Sequence, residues 1–316
     1  MPRFKLFLLL PLATLFVPAF GQQGVNPARP GTINYIEGQV SLNGHKVAPR
    51  SVGKAEVEPG QDLTTAEGKV EMLLTPGIFL RLDKNSTVRM ISPDLTHTEV
   101  AIERGRAQVE ADQLYPQNKI LINLGGGQAQ LLKNGLYEFD ADHNLVKTFD
   151  GKLAIYSDNS LHNEEKPTQV KEGRQLALTG GDVKPVSFNK DKSEDDLYRW
   201  SALRSQYLGE ANINLAAQYA NYGPAYGYGG FAPGWAWDPY LYAYDWLPGG
   251  GPFFSPFGFG FYSPYYLYGG GFVYGHGFYS RGGGFHGGAG FRGSTGNRAA
   301  TVTGGGFHGG GGGGHR

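Results

Sequence analysis

Eight histidines are the residues best suited to bind a metal or transfer a proton at neutral pH. Four of them lie in predicted turns or at polar strand positions, at unrelated spacings: His45, His97, His143 and His162. The other four lie in glycine-rich sequence that provides no fixed geometry: His276, His286, His308 and His315. No pair has the His-x-His or i, i+4 spacing that brings two imidazoles to one metal ion. We therefore expect surface histidines and neither a metal site nor a bound cofactor.

Glycines 125–127 raise the question of a phosphate-binding loop. A P-loop needs Lys and then Ser or Thr directly after its last glycine, at the start of a helix. Here Gln128 follows and begins a predicted strand, so the glycines indicate a turn. No G-x-S-x-G context marks a serine nucleophile, and the chain contains no cysteine. The sequence predicts no catalytic residue and a protein that is not an enzyme.

The elements that must position these residues are β-strands. From residue 31 to 192 apolar and polar residues alternate, as around Glu71 and Arg81, each of which lies between two apolar neighbours. Such alternation places one set of side chains on a buried face and the other toward solvent. Glycine-bearing turns recur at intervals of roughly 8–12 residues, which is typical of a sandwich or barrel. We predict an all-β, jelly-roll-like sandwich.

A weak internal repeat suggests that this β domain has two similar halves, near 31–111 and 119–188. The spacing V-x-x-G-polar-polar-L occurs at residues 57–63 and again at residues 170–176. Each copy predicts a strand end, a tight turn at the glycine and a new strand.

After residue 192 the periodicity becomes helical. Ser193 and Asp196 form an approximate capping box. Apolar residues then recur at three- and four-residue steps: Leu197, Trp200, Leu203, Tyr207, Leu208 and Ala211. The pattern predicts an amphipathic helix within 193–221, with Leu197, Trp200, Leu203 and Tyr207 packed on the β domain. A helix that docks a partner is the alternative.

The N-terminus has the pattern of a cleavable secretory signal. Arg3 and Lys5 precede an apolar stretch at 6–17, and Ala19 and Gly21 supply small residues before a cut at Gln22. We expect a signal peptide over 1–21, a linker over 22–30 and an exported protein of the periplasm, outer surface or extracellular space. An uncleaved N-terminal anchor is the alternative.

Residues 222–316 are of low complexity. They hold 32 of the 51 glycines and 26 aromatic residues, and the heptapeptide GGGFHGG occurs at 282–288 and 304–310. Glycine at this density makes a fixed backbone entropically costly, and few branched aliphatic residues are present to form a core. We predict a disordered tail that self-associates weakly through its rings.

The β domain resembles the FecR domain, the periplasmic β domain of ferric-citrate-type sensor regulators. The resemblance rests on the order G-x-V, G-x-x-L-x-T, G-x-x-L-x-L, N-S-x-V and G-x-x-x-V, carried by residues 38–40, 60–65, 77–82, 85–88 and 105–109. It implies an all-β fold, a closing helix that bears Trp200, and no catalytic residues.

One departure from that family bears on function. Sensor regulators carry a cytoplasmic anti-sigma segment and a membrane span before the β domain, whereas here the domain starts ten residues after the predicted signal. We therefore expect no contact with a sigma factor, and the zero net charge gives no reason to expect nucleic acid. Two hypotheses remain: a non-enzymatic binding or scaffold module for an envelope protein or surface polymer, and an adhesive or matrix protein that acts through its tail.

Overall fold

The computed structural model describes residues 27–156, 167–179, 184–222 and 233–268. The predicted cleavage residues Ala19, Gly21 and Gln22 lie outside these ranges, as do His162 and the four tail histidines. So does most of the predicted linker.

The chain is all-β with one long helix, which confirms the predicted fold class. The strands of the N-terminal half are β1 (Ile33–Leu42), β2 (His45–Lys46), β3 (Asp62–Leu73), β4 (Ile78–Leu82), β5 (Thr87–Asp94), β6 (His97–Arg104) and β7 (Arg106–Ala111). Those of the second half are β8 (Lys119–Leu124), β9 (Gly127–Leu131), β10 (Gly135–Asp140), β11 (Leu145–Thr148), β12 (Lys152–Tyr156), β13 (Thr168–Lys171), β14 (Arg174–Ala177) and β15 (Val186–Ser187). The remaining elements are α1 (Asp196–Tyr222), β16 (Gly234–Asp238), β17 (Ala243–Leu247), β18 (Pro252–Phe254), β19 (Gly260–Tyr262) and α2 (Pro264–Tyr268). Two 3₁₀ turns lie at Pro49–Ser51 and Asp191–Ser193.

Strands β1–β15 form one continuous sheet. Its order is β13-β12-β9-β8-β6-β5-β3-β4-β7-β10-β11-β14-β15, with β1 and β2 added beside β3. Every pair is antiparallel except β6 and β8. The strands of the second half flank those of the first on both sides, so the two halves are interleaved in one sheet.

The sheet curls around one aliphatic core. Strands β13 and β14 lie near opposite ends of the strand order, yet only the turn at Glu172 and Gly173 separates them. Inner-face side chains from both flanks therefore meet in a single cluster, which includes Val70, Leu80, Val109, Leu153 and Val170. These residues are almost completely buried, and at about 25 cal/mol per Å² their burial is the main stabilisation of the β domain.

The internal repeat corresponds to two equivalent turns. Gly60 and Gly173 both have left-handed φ angles, 81° and 72°, and both donate a backbone hydrogen bond to a strand carbonyl, at Met90 and Thr148. The leucine that ends each copy lies opposite a valine: Leu63 faces Val88, and Leu176 faces Val146. The repeated sequence thus forms the same corner twice, once in each half.

Helix α1 begins at Asp196, within the predicted range, but its N-terminal cap is Asp195 and not the predicted Ser193. The Asp195 carboxylate accepts the Tyr198 N–H at 3.2 Å and also pairs with Arg106. Asp196 accepts a hydrogen bond from Lys69 at 2.7 Å, so two strand cations hold the first turn of the helix. In the described ranges neither helix is both long and apolar enough to cross a membrane.

Residues 233–268 differ from the predicted disorder. Strands β16 and β17 form one hairpin, β18 and β19 form another, and both pack on α1 and the sheet. Trp246 and Phe261 are fully buried against Leu73 and Phe79. Aromatic rings bury roughly 150–250 Å² each, so they supply most of this core, together with Leu73 and Leu208. The prediction of a disordered tail is therefore wrong for residues 233–268. Residues 223–232 and 269–316 of that predicted tail lie outside the described residues.

Candidate functional site

Polar side chains form a continuous row across the outer face of the sheet. Glu71 lies opposite Arg81, Arg81 opposite Gln108, Gln108 opposite Glu138, and Glu138 opposite Lys147. We call these five residues the charge ladder. Its members interact as cross-strand neighbours do. Gln108 donates to Glu138 at 3.1 Å, and the Lys147 ammonium lies 2.8 Å from the other oxygen of Glu138.

The ladder is buried where the sequence predicted exposure. Glu71 and Arg81 were expected on a solvent face, but both are 0% exposed because α1 and the two hairpins cover that face. Arg81 bridges Glu71, at 2.8 Å, and Glu110 of β7. Burial alone would raise the pKa of Glu71, but the charges of Arg204 and Arg81 outweigh it and lower this pKa to about 2.

Three polar side chains of α1 hydrogen-bond to the covered face: one to the ladder, one to Glu110 and one to the two hairpins. Arg204 donates to Glu71 at 3.0 Å, and its guanidinium lies 4.0 Å from the ring centroid of Tyr35. Ser205 donates to Glu110 at 2.6 Å. Asn212 donates to the Trp246 carbonyl at 2.8 Å and accepts the Tyr262 N–H at 2.6 Å. The buried face of α1 is thus chosen by hydrogen-bond partners as much as by apolar area.

Asn34 fixes the first hairpin to the sheet in a similar way. Its side-chain amide donates to Glu71 and to the Tyr244 carbonyl, both at 2.9 Å, and its oxygen accepts the Tyr244 N–H at 2.7 Å. Because each buried polar group is satisfied only in this position, the contact specifies where the hairpin docks.

Two further carboxyls, Asp112 and Asp245, are buried beside the ladder. Burial raises the pKa of Asp112 well above its ordinary value, the nearby Glu110 charge raises it further, and Arg81 only partly opposes this. Burial likewise raises the pKa of Asp245, against the Trp246 N–H that its carboxylate accepts at 2.7 Å. The guanidiniums of Arg81 and Arg204 pair with Glu71 and Glu110, whereas burial favours the neutral form of Asp112 and Asp245.

This arrangement can clamp α1 and the hairpins to the sheet, but it offers no approach to a substrate. Shifted pKa values mark catalytic sites when the groups face a cleft. Here Glu71, Arg81, Glu110, Asp112 and Asp245 are at most 2% exposed. The layer is structural in this conformation.

The predicted packing stripe of α1 is partly wrong. Leu197 is fully buried, but Leu203 and Tyr207 are 45% and 48% exposed. Trp200 is half-buried at the margin, where its indole donates to Glu37 at 2.8 Å and its ring lies 6.1 Å from that of Tyr35. The helix is rotated so that Arg204 and Ser205 face Glu71 and Glu110 of the sheet. This rotation places Leu203 and Tyr207 on the solvent side.

The other candidate residues lie apart from one another. His45 is exposed on β2, His97 lies 3.2 Å from Glu99, and His143 lies 2.9 Å from Asp140. Gly125 and Gly126 form the tight turn between β8 and β9. Within the described ranges, no three His, Cys, Asp or Glu side chains are grouped to hold a metal ion.

Sequence reasoning missed the loop of the first hairpin, which holds Tyr240, the most exposed aromatic ring of the described chain. We call β16, β17 and the loop between them the aromatic hairpin. Tyr240 is 86% exposed, and Tyr242 is 46% exposed with a left-handed φ of 52°. The Asp238 carboxylate accepts the Tyr240 N–H at 2.7 Å, and Trp237 packs edge-on against the Tyr242 ring at 5.1 Å. The loop is therefore fixed in shape while its rings face solvent.

Comparison with known proteins gave weak similarities. No family model matches the chain, and no curated protein matches it. The chain is similar to two crystal structures of a candidate anti-sigma factor from Parabacteroides distasonis, each at 13% identity. The TM-scores are 0.33 and 0.34, over 45% and 46% of this chain. The aligned region covers 62% and 64% of those solved chains, which is less than two thirds of their length.

Proposed function

We propose that this chain is an exported, non-enzymatic binding module of the cell envelope that contacts its partner through the loop of the aromatic hairpin. The observation that carries the proposal is Tyr242. A bulky side chain in the left-handed region costs about 1–3 kcal/mol and persists only where its surroundings hold it. Strain of this kind concentrates at functional sites, and here it presents two rings to solvent.

Other features support the remaining parts of the proposal. The N-terminal pattern supports export to the periplasm, outer surface or extracellular space. Glu71, Asp112 and Asp245, the carboxyls with shifted pKa values, are buried away from solvent, which supports a structural rather than a catalytic role for them. The FecR-like order of motifs supports a β domain that acts by binding, with an envelope protein or a surface polymer as its partner. A rigid loop with exposed tyrosines supplies large contact area at low conformational entropy.

Cosedimentation of the mature chain with isolated envelope fragments tests this function. A Tyr240→Ser and Tyr242→Asn double variant should reduce the bound fraction at least fivefold. Asn tolerates a left-handed φ, so the variant should keep the wild-type melting temperature. Tyr207→Ser, which removes a similarly exposed tyrosine from α1, is the matched control and should bind normally.

The alternative hypothesis, an adhesive protein acting through its tail, predicts a different outcome. A chain that ends at residue 268 lacks much of the Gly- and aromatic-rich sequence but keeps the aromatic hairpin. If this truncation loses envelope association while the Tyr240/Tyr242 variant retains it, the tail is the functional part. Sedimentation velocity of the mature chain and of the chain that ends at residue 268 would then show whether the tail also drives self-association.

A further inference from the structure

We propose that the aromatic hairpin and the adjoining 3₁₀ turn Pro49–Ser51 form a binding site for an acidic polysaccharide. This inference rests on the proposed function and names the chemistry of the partner. It depends on three observations: the two loops are locked together, two cations beside the rings lack carboxylate partners, and two rings are open to solvent.

The two loops are joined by direct contacts. The Tyr242 hydroxyl donates to the Arg50 carbonyl at 3.4 Å. The Trp237 ring fills the space at Gly53, where a Cβ atom would overlap it, and Gly53 has a φ of 72° that favours glycine. The strained Tyr242 and the bend at Gly53 thus hold one shared surface.

Cationic side chains border this surface. Arg50 and Lys54 are both exposed, and in the described part of the chain no carboxylate pairs with either of them. Some exposed cations of the described chain pair with acids, as Lys190 does with Glu172, and others such as Lys119 do not. What distinguishes Arg50 and Lys54 is therefore their place beside the exposed rings. Two unpaired cations next to two exposed tyrosines favour an anionic partner with a face that can stack.

An acidic polysaccharide meets both requirements. The C–H groups on one face of a pyranose ring carry slight positive charge and pack against the negative face of an aromatic ring. A uronate carboxylate can accept two parallel hydrogen bonds from the planar guanidinium of Arg50. The C-terminal segment of this chain does not fit, because residues 269–316 contain four arginines and no acidic residue. The same charge argument excludes that segment of a second copy.

Affinity electrophoresis of the mature chain in gels containing polygalacturonate tests the site, with neutral dextran as the control polymer. We expect retardation by polygalacturonate only. An Arg50→Gln and Lys54→Gln double variant should bind at least tenfold more weakly, and the Tyr240→Ser variant should lose binding as well. Lys119→Gln with Lys133→Gln removes the same charge from exposed lysines elsewhere and should bind like the wild type.

Several outcomes would overturn the proposal. Equal retardation by dextran would show that charge plays no part. Equal binding of polyglutamate or single-stranded DNA, with the same dependence on Arg50 and Tyr240, would assign the surface to another class of polymer. If polygalacturonate does not bind while envelope association still depends on Tyr240, the inference fails and the proposed function stands. If polygalacturonate does not bind and envelope association does not depend on Tyr240, both the polysaccharide site and the proposed function are wrong.

Discussion

The two faces of the central sheet are both buried, yet they are built from opposite chemistry. Around Leu80 and Val109 the inner face is aliphatic and packs against its own flanks. One residue away along the same strands, the outer face carries Arg81 and Glu110 beneath α1 and the hairpins. Alternating polar residues in a strand therefore indicate a face distinct from the aliphatic core. That face is exposed to solvent only if no other part of the chain packs on it.

The two faces also differ in what they specify. Aliphatic burial is non-directional, so the contacts of the inner face depend on fit and area rather than on individual partners. The outer face fixes the position of α1 through individual hydrogen bonds, such as those of Arg204 and Ser205. Charged layers of this kind are sensitive to the loss of one partner and to pH, and the predictions that follow use both sensitivities.

The largest effect is expected from Arg81→Met. It leaves Glu71 and Glu110 buried without their shared cation, which should lower the free energy of unfolding by about 3–5 kcal/mol. Urea denaturation of the mature chain measures the change. Arg89→Met is the matched control: it removes ion pairs with Asp62 and Glu103 in which the arginine is 41% exposed, so its effect on the free energy of unfolding should be far smaller. Equal losses for both variants would contradict the distinction between the two environments.

On the inner face, Leu80→Ala should cost about 2–4 kcal/mol through lost burial and an unfilled cavity. The loss of stability should be the same at pH 5 and pH 9, because Leu80 lies within the aliphatic cluster of the inner face. Urea midpoints at the two pH values give the comparison. A strongly pH-dependent cost would mean that the two faces are coupled.

Stability should fall at both ends of the pH range because of the outer face. The raised pKa values of Asp112 and Asp245 mean that, above about pH 4, the unfolded chain loses protons that the folded chain keeps, so stability declines as pH rises. Glu71 has a lowered pKa, and its contribution is lost as pH falls from about 4.5 toward about 2. Asp112→Asn should flatten this decline above about pH 4 by roughly 1.4 kcal/mol per pH unit. An unchanged slope would show that Asp112 is ionised in the folded chain.

At the margin between the two environments, Trp200→Ala should cost about 1–2 kcal/mol. The indole is half-buried and loses its hydrogen bond to Glu37 and its contact with Tyr35. The melting temperature of the variant measures the cost. Trp200→Phe, which keeps the ring contact but not the donor, should recover about half of it.

The smallest effect is expected from Leu203→Ala, on the solvent side of α1. The side chain is 45% exposed, so the change should stay within about 0.5 kcal/mol. Leu208→Ala, on the buried side and in contact with the hairpin core, should cost several times more. Similar losses of stability for the two variants would instead support the orientation predicted from the apolar stripe, in which both leucines face the β domain.

The class of fold, the β domain and the repeated corner at Gly60 and Gly173 could be predicted, because each depends on local alternation and turn glycines. The orientation of α1 could not, because it is set by Arg204 and Ser205 meeting acids on distant strands. Hydropathy ranks these two residues as surface residues.

The aromatic hairpin was missed for another reason. Its glycine-rich composition concealed a period of two, with Trp235 and Trp237 before the turn and Tyr242, Tyr244 and Trp246 after it. Asp238 followed by Pro239 is also a turn signal. Alternation of rings rather than of aliphatic residues would have indicated the two strands.

The strand order has a consequence for how the chain folds. Strands near the two ends of the sheet are neighbours in sequence, and the cover comes from residues that follow them, so many contacts join distant parts of the chain. Sheets of this kind fold slowly, because loops must close before contacts form. If the sheet forms before α1 docks, water contacts Glu71, Arg81 and Glu138 of the outer face as well as Phe79. The charge ladder would then hydrate a surface on which aliphatic side chains would promote aggregation.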